Sequence, residues 1–124
     1  MIKAALFCYA LTGFREARGE GLAAQFAVMK VLENRARLNQ KPPCVELAKH
    51  RQFAFVRKYG VTHPKPIGEL DINAWFQSRR IAHALKHVMV KGITPHHTYF
   101  NHIKLGKRYK TKTQPVQIGQ LLFY

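Results

Sequence analysis

Two glutamates, Glu16 and Glu20, lie in a short segment between two apolar stretches, residues 4–11 and 22–32. They are two of only six acidic residues in a 124-residue chain that carries 21 lysines and arginines. A carboxylate between two apolar helices that pack together is placed for partial burial, which raises its pKa and keeps a proton available for transfer. On spacing alone, the ordinary alternative is favoured: a solvated helix start, where acids suit the positive end of the dipole.

This small supply of acids favours a reaction that needs only one carboxyl group. Most glycosidases place two carboxyl groups on opposite sides of the bond that they cleave. The other acids are predicted to be engaged elsewhere, namely Glu33 in a surface ion pair with Arg37, Glu46 in a short helix among basic residues, and Glu69 and Asp71 in a turn-rich segment. A single glutamate suffices if it protonates the glycosidic oxygen and then acts as the base for attack by a substrate hydroxyl.

The elements that would position this segment are predicted from apolar periodicity. Residues 3–14 form a nearly apolar helix, with Gly13 marking a local break near its end. Residues 22–37 are apolar around almost the whole helix circumference, which is typical of a central helix surrounded by other elements. A short helix is predicted at residues 44–50. Its inward face is predicted to consist of Val45, Leu47 and Ala48.

A further helix is predicted in the second half of the chain. Residues 52–56 fit either a strand or a helical turn, and residues 57–71 are rich in Gly and Pro, as in an irregular rim of a cleft. Asp71 or Asn73 can cap the helix that follows, which is predicted to run to about Lys91. Its apolar residues recur at helical spacing, so one face is expected to be buried.

The period of the hydrophobic pattern changes towards the C-terminus, where strands are predicted. Residues 98–100 favour a strand, and residues 116–124 favour a hairpin that turns near Gly119 and Gln120. Helices followed by a small antiparallel sheet define an α+β fold. With no internal repeat and no boundary signal, residues 1–124 are predicted to form a single domain.

The net charge of +15 indicates an anionic partner, which would be nucleic acid, membrane phosphate or an acidic envelope polymer. A non-catalytic basic binding module is therefore the main alternative to an enzyme. Cations on the predicted second-half helix and after the first strand could follow a phosphate backbone, with aromatic side chains stacking on bases. No recognised nucleic-acid motif accompanies them.

The cysteines and histidines give weaker signals. Cys8 lies in an apolar run and fits a core position, and a bridge between Cys8 and Cys44 is left open. His83 and His87 have the four-residue spacing that lets two imidazoles meet one ion. Neither an HExxH motif nor a CxxC pair is present, so no metal and no other cofactor is predicted.

Eight short segments follow one another along the chain. They are Glu16-Ala17-Arg18-Gly19-Glu20, Gln25-x-Ala27-Val28, Leu32-x-Asn34-Arg35, Cys44-Val45, Gln52-Phe53, Thr98-Tyr99-Phe100-Asn101, Ile118-Gly119 and Phe123-Tyr124. In content and order they resemble the SleB-like cell wall hydrolase family, the spore cortex-lytic enzyme type. The sequence departs from that family where Phe14-Arg15 replaces the usual Tyr and Gly before the first Glu.

The resemblance implies a lysozyme-like α+β fold with a long cleft and peptidoglycan as the substrate. The reaction would be lytic transglycosylation between N-acetylmuramic acid and N-acetylglucosamine, leaving a 1,6-anhydro end, with hydrolysis as the alternative outcome. Glu16 would be the catalytic acid and base, and Glu20 would orient the site or tie Arg18. The remaining substrate-binding residues implied are Gln52, Phe53, Tyr99 and Asn101. Core packing for Phe53 and sheet pairing for Tyr99 are equally weighted alternatives.

A compact, strongly basic member without a clear signal peptide resembles a phage endolysin more than a spore enzyme. Such a protein would be made in the host cytoplasm and released to the cell wall by another route, or would be carried on the virion. Its expected partners are peptidoglycan glycan strands and the anionic envelope surface, without obligatory nucleic acid, and it is expected to be a monomer.

Overall fold

The computed structural model describes residues 3–49, 53–65, 71–106 and 110–124. Within them the chain has an α+β fold, in which a helical part precedes a small antiparallel sheet, as predicted. The helices are α1 (Ala4–Ala17), α2 (Leu22–Leu38), α3 (Pro43–Ala48), α4 (Ala54–Tyr59) and α5 (Ile72–Ala84), and a 3-10 turn (Leu85–His87) follows α5. The strands are β1 (Phe100–His102), β2 (Val116–Ile118) and β3 (Leu121–Phe123).

Helix α1 continues one turn beyond its predicted end and includes Glu16 in its last turn. The predicted break at Gly13 is wrong, because the helix passes straight through this residue. Gly13 instead permits close packing, since a Cβ at this position would collide with Cε of Met29 on α2. The glycine therefore leaves room for the end of the Met29 side chain against α1.

Helix α2 is the central helix, as predicted, and two apolar clusters share it. Met29 and Leu32 pack with residues of α1 and α5, whereas Val28 and Val31 pack with Leu121 and other residues of the sheet. Different faces of one helix are thus buried by different elements, which accounts for the wide apolar surface of α2. A polar contact joins it to α5 inside the core, where the Ser78 hydroxyl donates to Gln25 Oε1 at 2.8 Å.

A disulfide between Cys8 and Cys44 joins α1 to α3, with the two Cα atoms 5.5 Å apart. The bridge that the sequence left open is therefore present. The predicted inward face of α3 is partly wrong: Leu47 is buried, but Val45 is 49% exposed and Ala48 is also exposed. Glu46 takes the inward position, because cationic and amide side chains around it satisfy its carboxylate.

Helix α5 begins at the predicted cap, where the Asp71 carboxylate accepts hydrogen bonds from the backbone N–H groups of Asn73 and Ala74. It ends at Ala84, well before the predicted Lys91, and Val88 is already extended. Lys30 of α2 donates to the Leu85 carbonyl at 2.8 Å and so satisfies a terminal acceptor.

The sheet has the order β1-β3-β2, with β3 in the centre. The predicted hairpin is confirmed: β2 pairs with β3 around a turn at Gly119, which has a φ of +59°. Strand β1 begins at Phe100 rather than at residue 98, although the amides of residues 98 and 99 both donate to the Tyr124 carbonyl. Among the described residues, no helix has the length and apolar character needed to cross a bilayer.

Candidate active site

Glu16 lies in the last turn of α1, where its side chain is half-buried against the start of α4. Burial raises the pKa of its carboxyl from the ordinary 4.5 to about 7, and a backbone hydrogen bond from Phe55 acts in the opposite direction. Phe55 is the second residue of α4, so its N–H has no acceptor within the helix. Glu16 is therefore a carboxyl with a single described backbone donor and a pKa near neutrality, as a proton donor requires.

Two arginines flank Glu16, and each lies against an aromatic ring. Arg15 Cζ is 3.9 Å from the ring centroid of Tyr59, the last residue of α4. Arg18 Cζ is 4.5 Å from the ring centroid of Phe14. Helix α4 therefore meets α1 at both of its ends, through Glu16 at its start and Arg15 at its finish. These contacts fix the short helix beside the Glu16 carboxyl.

Glu20 connects the helical part to the sheet. Its Oε1 accepts a hydrogen bond of 2.6 Å from the backbone N–H of Gln120 in the β2–β3 turn. Gly119 makes room for this contact, because an added Cβ would lie 2.5 Å from the same oxygen. Glu20 thus holds the hairpin against the junction of α1 and α2, a role that spacing did not indicate. The prediction that it also ties Arg18 stays a prediction.

The other implied substrate-binding residues lie in different environments. Phe53 is 1% exposed and packs against Phe100 of β1, with ring centroids 5.9 Å apart, as in the core-packing alternative. Tyr99 is 39% exposed, and its ring lies 4.8 Å from Cζ of Arg35. Asn101 is nearly buried in β1, opposite Leu122 of β3. Gln52 lies outside the described residues.

A chain of contacts nevertheless links these residues to Glu16. Glu16 contacts α4 through Phe55, and Phe53 is the residue that precedes the first turn of that helix. Phe53 then contacts β1, which carries Asn101 and directly follows Tyr99. These contacts connect Glu16 to Phe53 and β1 by way of α4. Among Glu16, Phe53, Tyr99 and Asn101, Tyr99 has the most exposed side chain.

Glu46 is also withdrawn from water, and the sequence did not indicate its burial. Its side chain accepts hydrogen bonds from Lys49 at 2.9 Å, from Asn39 at 3.0 Å and from Arg35 at 3.4 Å. Burial acts to raise its pKa, but these hydrogen bonds and the charge of Lys49 outweigh burial and lower it. The only sequence signal was the three-residue spacing of Glu46 and Lys49 on one helix face.

Asn34 and Arg35 hold the loop that precedes β1. The Asn34 side-chain amide donates to the carbonyls of Thr94 and His97 at 3.0 and 2.8 Å. Arg35 donates to the Thr98 carbonyl at 2.8 Å as well as to Glu46. These hydrogen bonds join the end of α2 to the segment that leads to Tyr99.

His97 is buried and bound to backbone groups on both sides. Its Nδ1 accepts from the backbone N–H of Thr94 at 3.0 Å, so its Nε2 carries the hydrogen that is donated to the Gln114 carbonyl at 2.8 Å. Through these two hydrogen bonds His97 joins the loop before β1 to the segment before β2. Among the described residues, no three side chains of the His, Cys, Asp or Glu types gather where they could hold a metal ion.

The predicted ion pair between Glu33 and Arg37 is wrong. Glu33 pairs instead with Lys30 at 3.4 Å. Arg37 donates to the Pro95 carbonyl at 2.6 Å and to Asn34 Oδ1 at 3.2 Å, because the loop before β1 lies beside the end of α2.

The chain was compared with protein-family models, curated proteins and solved structures. None of them matches it.

Proposed function

We propose that this protein is a peptidoglycan-cleaving enzyme of the lytic transglycosylase or muramidase type. The observation that carries the proposal is the half-buried Glu16 carboxyl, whose pKa is raised to about 7 at the junction of α1 and α4. A carboxyl with this pKa is substantially protonated at neutral pH, whereas an ordinary glutamate is not. It therefore has the property that a general acid for glycosidic-bond cleavage needs.

The reaction proceeds in two steps, with Glu16 as the acid and then as the base. Protonated Glu16 donates its proton to the oxygen between N-acetylmuramic acid and N-acetylglucosamine, and the bond from that oxygen to C1 of N-acetylmuramic acid breaks. The Glu16 carboxylate then takes the proton of the C6 hydroxyl as that oxygen bonds to C1, which forms the 1,6-anhydro product. Attack by water in the second step would give a reducing end instead.

We further propose that the chain belongs to the SleB-like group and has a lysozyme-like arrangement. The order of the sequence segments supports this assignment, together with a helical part that carries Glu16 and a three-stranded sheet behind it. Glycan strands would be bound near Glu16, and Tyr99 is an exposed aromatic residue that could contact a sugar. The protein would act at the bacterial cell wall as a monomer, without a metal or another cofactor.

The charge of the protein supports an anionic target. A net charge of +15 attracts the chain to envelope polymers and raises the rate of encounter with them. This attraction is screened as the ionic strength increases, because the Debye length shortens to about 8 Å at physiological salt. Activity on whole sacculi should therefore fall with added salt, while cleavage of a short uncharged glycan fragment should change less.

The test is digestion of purified sacculi, with mass spectrometry of the soluble products. A transglycosylase releases muropeptides with anhydro ends, and a hydrolase releases reducing ends. Glu16→Gln should abolish release, whereas Glu33→Gln, which makes the same charge change at an ion pair on α2, should retain it. Full activity in Glu16→Gln would show that Glu16 is not the catalytic acid. Failure of the wild type to release any product would contradict the proposed function.

The pH dependence provides a second readout of the same group. Because the acid form of Glu16 is the form that starts the reaction, the rate should fall as pH rises through about 7. A rate that is constant up to about pH 9 would contradict a general acid with this pKa.

A binding module without catalysis remains the second candidate, and the basic composition of α5 favours it. Neither α5 nor the 3-10 turn after it contains an acidic residue. Such a module would bind nucleic acid or envelope polymer in a salt-dependent way and would bind equally well after Glu16→Gln. Release of muropeptides by the pure protein would exclude this as its main function.

A further inference from the structure

The outer face of α5 combines exposed apolar and cationic side chains. Ile72, Phe76, Arg80 and His83 are spaced so that they follow one line along the helix, on the side opposite the buried Ser78 and Ile81. Ile72 is 59% exposed and Phe76 is 49% exposed. We propose that this face, defined by Ile72, Phe76, Arg79, Arg80, His83 and Lys86, is a docking surface for an anionic phospholipid bilayer.

Charge complementarity is the first argument. Arg79 and Lys86 lie beside the line of exposed residues and add two positive charges to that of Arg80. The nearest acid in sequence, Asp71, is occupied in capping the helix. Anionic headgroups attract such a cluster, and each cation near the surface strengthens binding.

The exposed apolar residues favour a bilayer over a nucleic acid. Ile72 is aliphatic and offers no ring for base stacking, but it can enter the boundary between headgroups and acyl chains. Phe76 would enter beside it. Arg79 Cζ lies 5.9 Å from the Phe76 ring centroid, so a cation accompanies the inserted ring at headgroup level. Apolar residues next to cations on one helix face are the pattern of interfacial helices.

The adjoining groove extends this surface. A groove of about 590 Å³ opens at the C-terminal end of α5, and its lining includes Lys3, Leu6, His83, Leu85 and Lys86. Glu33 also lines it, but its charge is matched by Lys30 at 3.4 Å. The groove thus continues both the cationic and the apolar character of the face, as contact with a lipid requires.

This docking surface is separate from the proposed cleavage site. Helix α5 packs on α1 through its inner face, where the Trp75 and Phe14 rings meet with centroids 5.5 Å apart. Glu16 instead meets α4. The inference goes beyond the proposed cleavage reaction and uses no step of it, so the two can fail independently.

The experiment is sedimentation of the full chain with vesicles of phosphatidylglycerol and phosphatidylcholine, compared with vesicles of phosphatidylcholine alone. The wild type should bind the anionic vesicles and not the neutral ones. Phe76→Ser should weaken binding about tenfold, because the inserted ring is lost. The double variant Arg79→Gln/Arg80→Gln should weaken it roughly 20- to 30-fold, at about 1 kcal/mol for each cation.

The matched control is Lys110→Gln/Lys112→Gln, which removes the same charge from exposed positions elsewhere. It should weaken binding less than about threefold if the α5 face is the contact. An equal loss in both double variants would overturn the proposal, since binding would then follow net charge alone. So would unchanged binding in Phe76→Ser.

A nucleic-acid alternative is tested with the same variants and a labelled DNA duplex. If Arg79→Gln/Arg80→Gln abolishes duplex binding while the wild type fails to sediment with anionic vesicles, the face belongs to a nucleic-acid module and the bilayer proposal is wrong. Glu16→Gln should bind vesicles like the wild type. That result separates a failure at the docking surface from a failure of the proposed catalysis.

Discussion

Glu16 and Glu46 are both carboxylates removed from water, yet their pKa values move in opposite directions. Glu46 is 0% exposed, and its pKa is nevertheless lowered, because Lys49, Asn39 and Arg35 donate to it. Glu16 is less buried, and its pKa rises to about 7, because the hydrogen bond from the Phe55 backbone does not offset burial. Burial alone therefore does not decide the protonation state, since the number and charge of the donors decide it.

The two carboxylates affect stability in opposite pH ranges. The folded pKa of Glu16 is above its ordinary value, so stability decreases as pH rises from about 4.5 to about 7. The folded pKa of Glu46 is below its ordinary value, so its contribution is present above about pH 4.5 and is lost as pH falls through the folded pKa. The Glu16 site favours the neutral carboxyl, and the Glu46 site favours the charged carboxylate.

The largest expected effect separates chemistry from structure. Glu16→Gln should lower the rate of muropeptide release about 100- to 10,000-fold while leaving the fold intact, because a general acid is lost. Glu46→Gln should keep the rate per folded molecule, since Glu46 is buried among its own partners. Rates normalised to the folded fraction measure this difference. An equal loss of rate in both variants would contradict a catalytic role for Glu16 and a structural role for Glu46.

The next effect concerns stability. Glu46→Ala should lower the free energy of unfolding by about 3–5 kcal/mol, because the nearly buried Arg35 loses its carboxylate partner. Glu33→Ala removes an ion pair that remains in contact with water and should cost less than about 1 kcal/mol. Urea unfolding at neutral pH measures both values. Equal costs would show that the Glu46 network contributes no more than a surface pair.

Glu16→Gln should change stability in the opposite direction from Glu46→Ala. Above about pH 7, folded Glu16 must be ionised in a half-buried place, so Glu16→Gln should stabilise the protein by on the order of 2–3 kcal/mol. Below about pH 4.5 the two proteins should have nearly equal stability, since the carboxyl is neutral in both the folded and unfolded states. Thermal unfolding at both ends of this range tests the raised pKa without any assay of activity, and a pH-independent difference would contradict it.

The smallest effect concerns the other glutamate of the same segment. Glu20→Ala should lower stability by about 1 kcal/mol, because the Gln120 amide loses its acceptor at the hairpin turn. Glu20→Gln keeps an acceptor oxygen and should recover most of this loss. Urea unfolding of the three proteins decides the matter, and equal losses in both variants would show that charge, rather than the hydrogen bond, is what Glu20 supplies.

The sequence predicted the environment of the Glu16 carboxyl better than that of the Glu46 carboxyl, for a physical reason. Glu16 lies between two apolar helices, so partial burial was one of its two expected environments, and burial beside α4 raises its pKa. Glu46 is paired with Arg35 on a different helix and with Asn39 in a loop. Nothing in the local pattern indicates which distant donors will meet a carboxylate, so the sequence placed Glu46 only in a short helix among basic residues.

The secondary-structure elements show the same pattern: features set by local sequence were predicted, and features set by contacts with distant residues were not. Helix α2 and the hairpin around Gly119 were predicted because periodicity and turn residues are local properties. The end of α5 was misplaced, because Lys30 of another helix binds the Leu85 carbonyl there. Similarly, Gly13 was read as a break, although its lack of a side chain serves Met29 of α2. In each failure, the deciding atom lies on a different element.

The disulfide between Cys8 and Cys44 also affects how the protein reaches this fold. Its sequence separation of 36 closes a covalent ring that contains Glu16, Glu20 and all of α2. In the oxidised unfolded chain α1 and α3 remain tethered, so the search for their contact is shortened. In the reduced chain the same search starts without a tether, and the loop-closure entropy of roughly 3–4 kcal/mol must be supplied by packing alone.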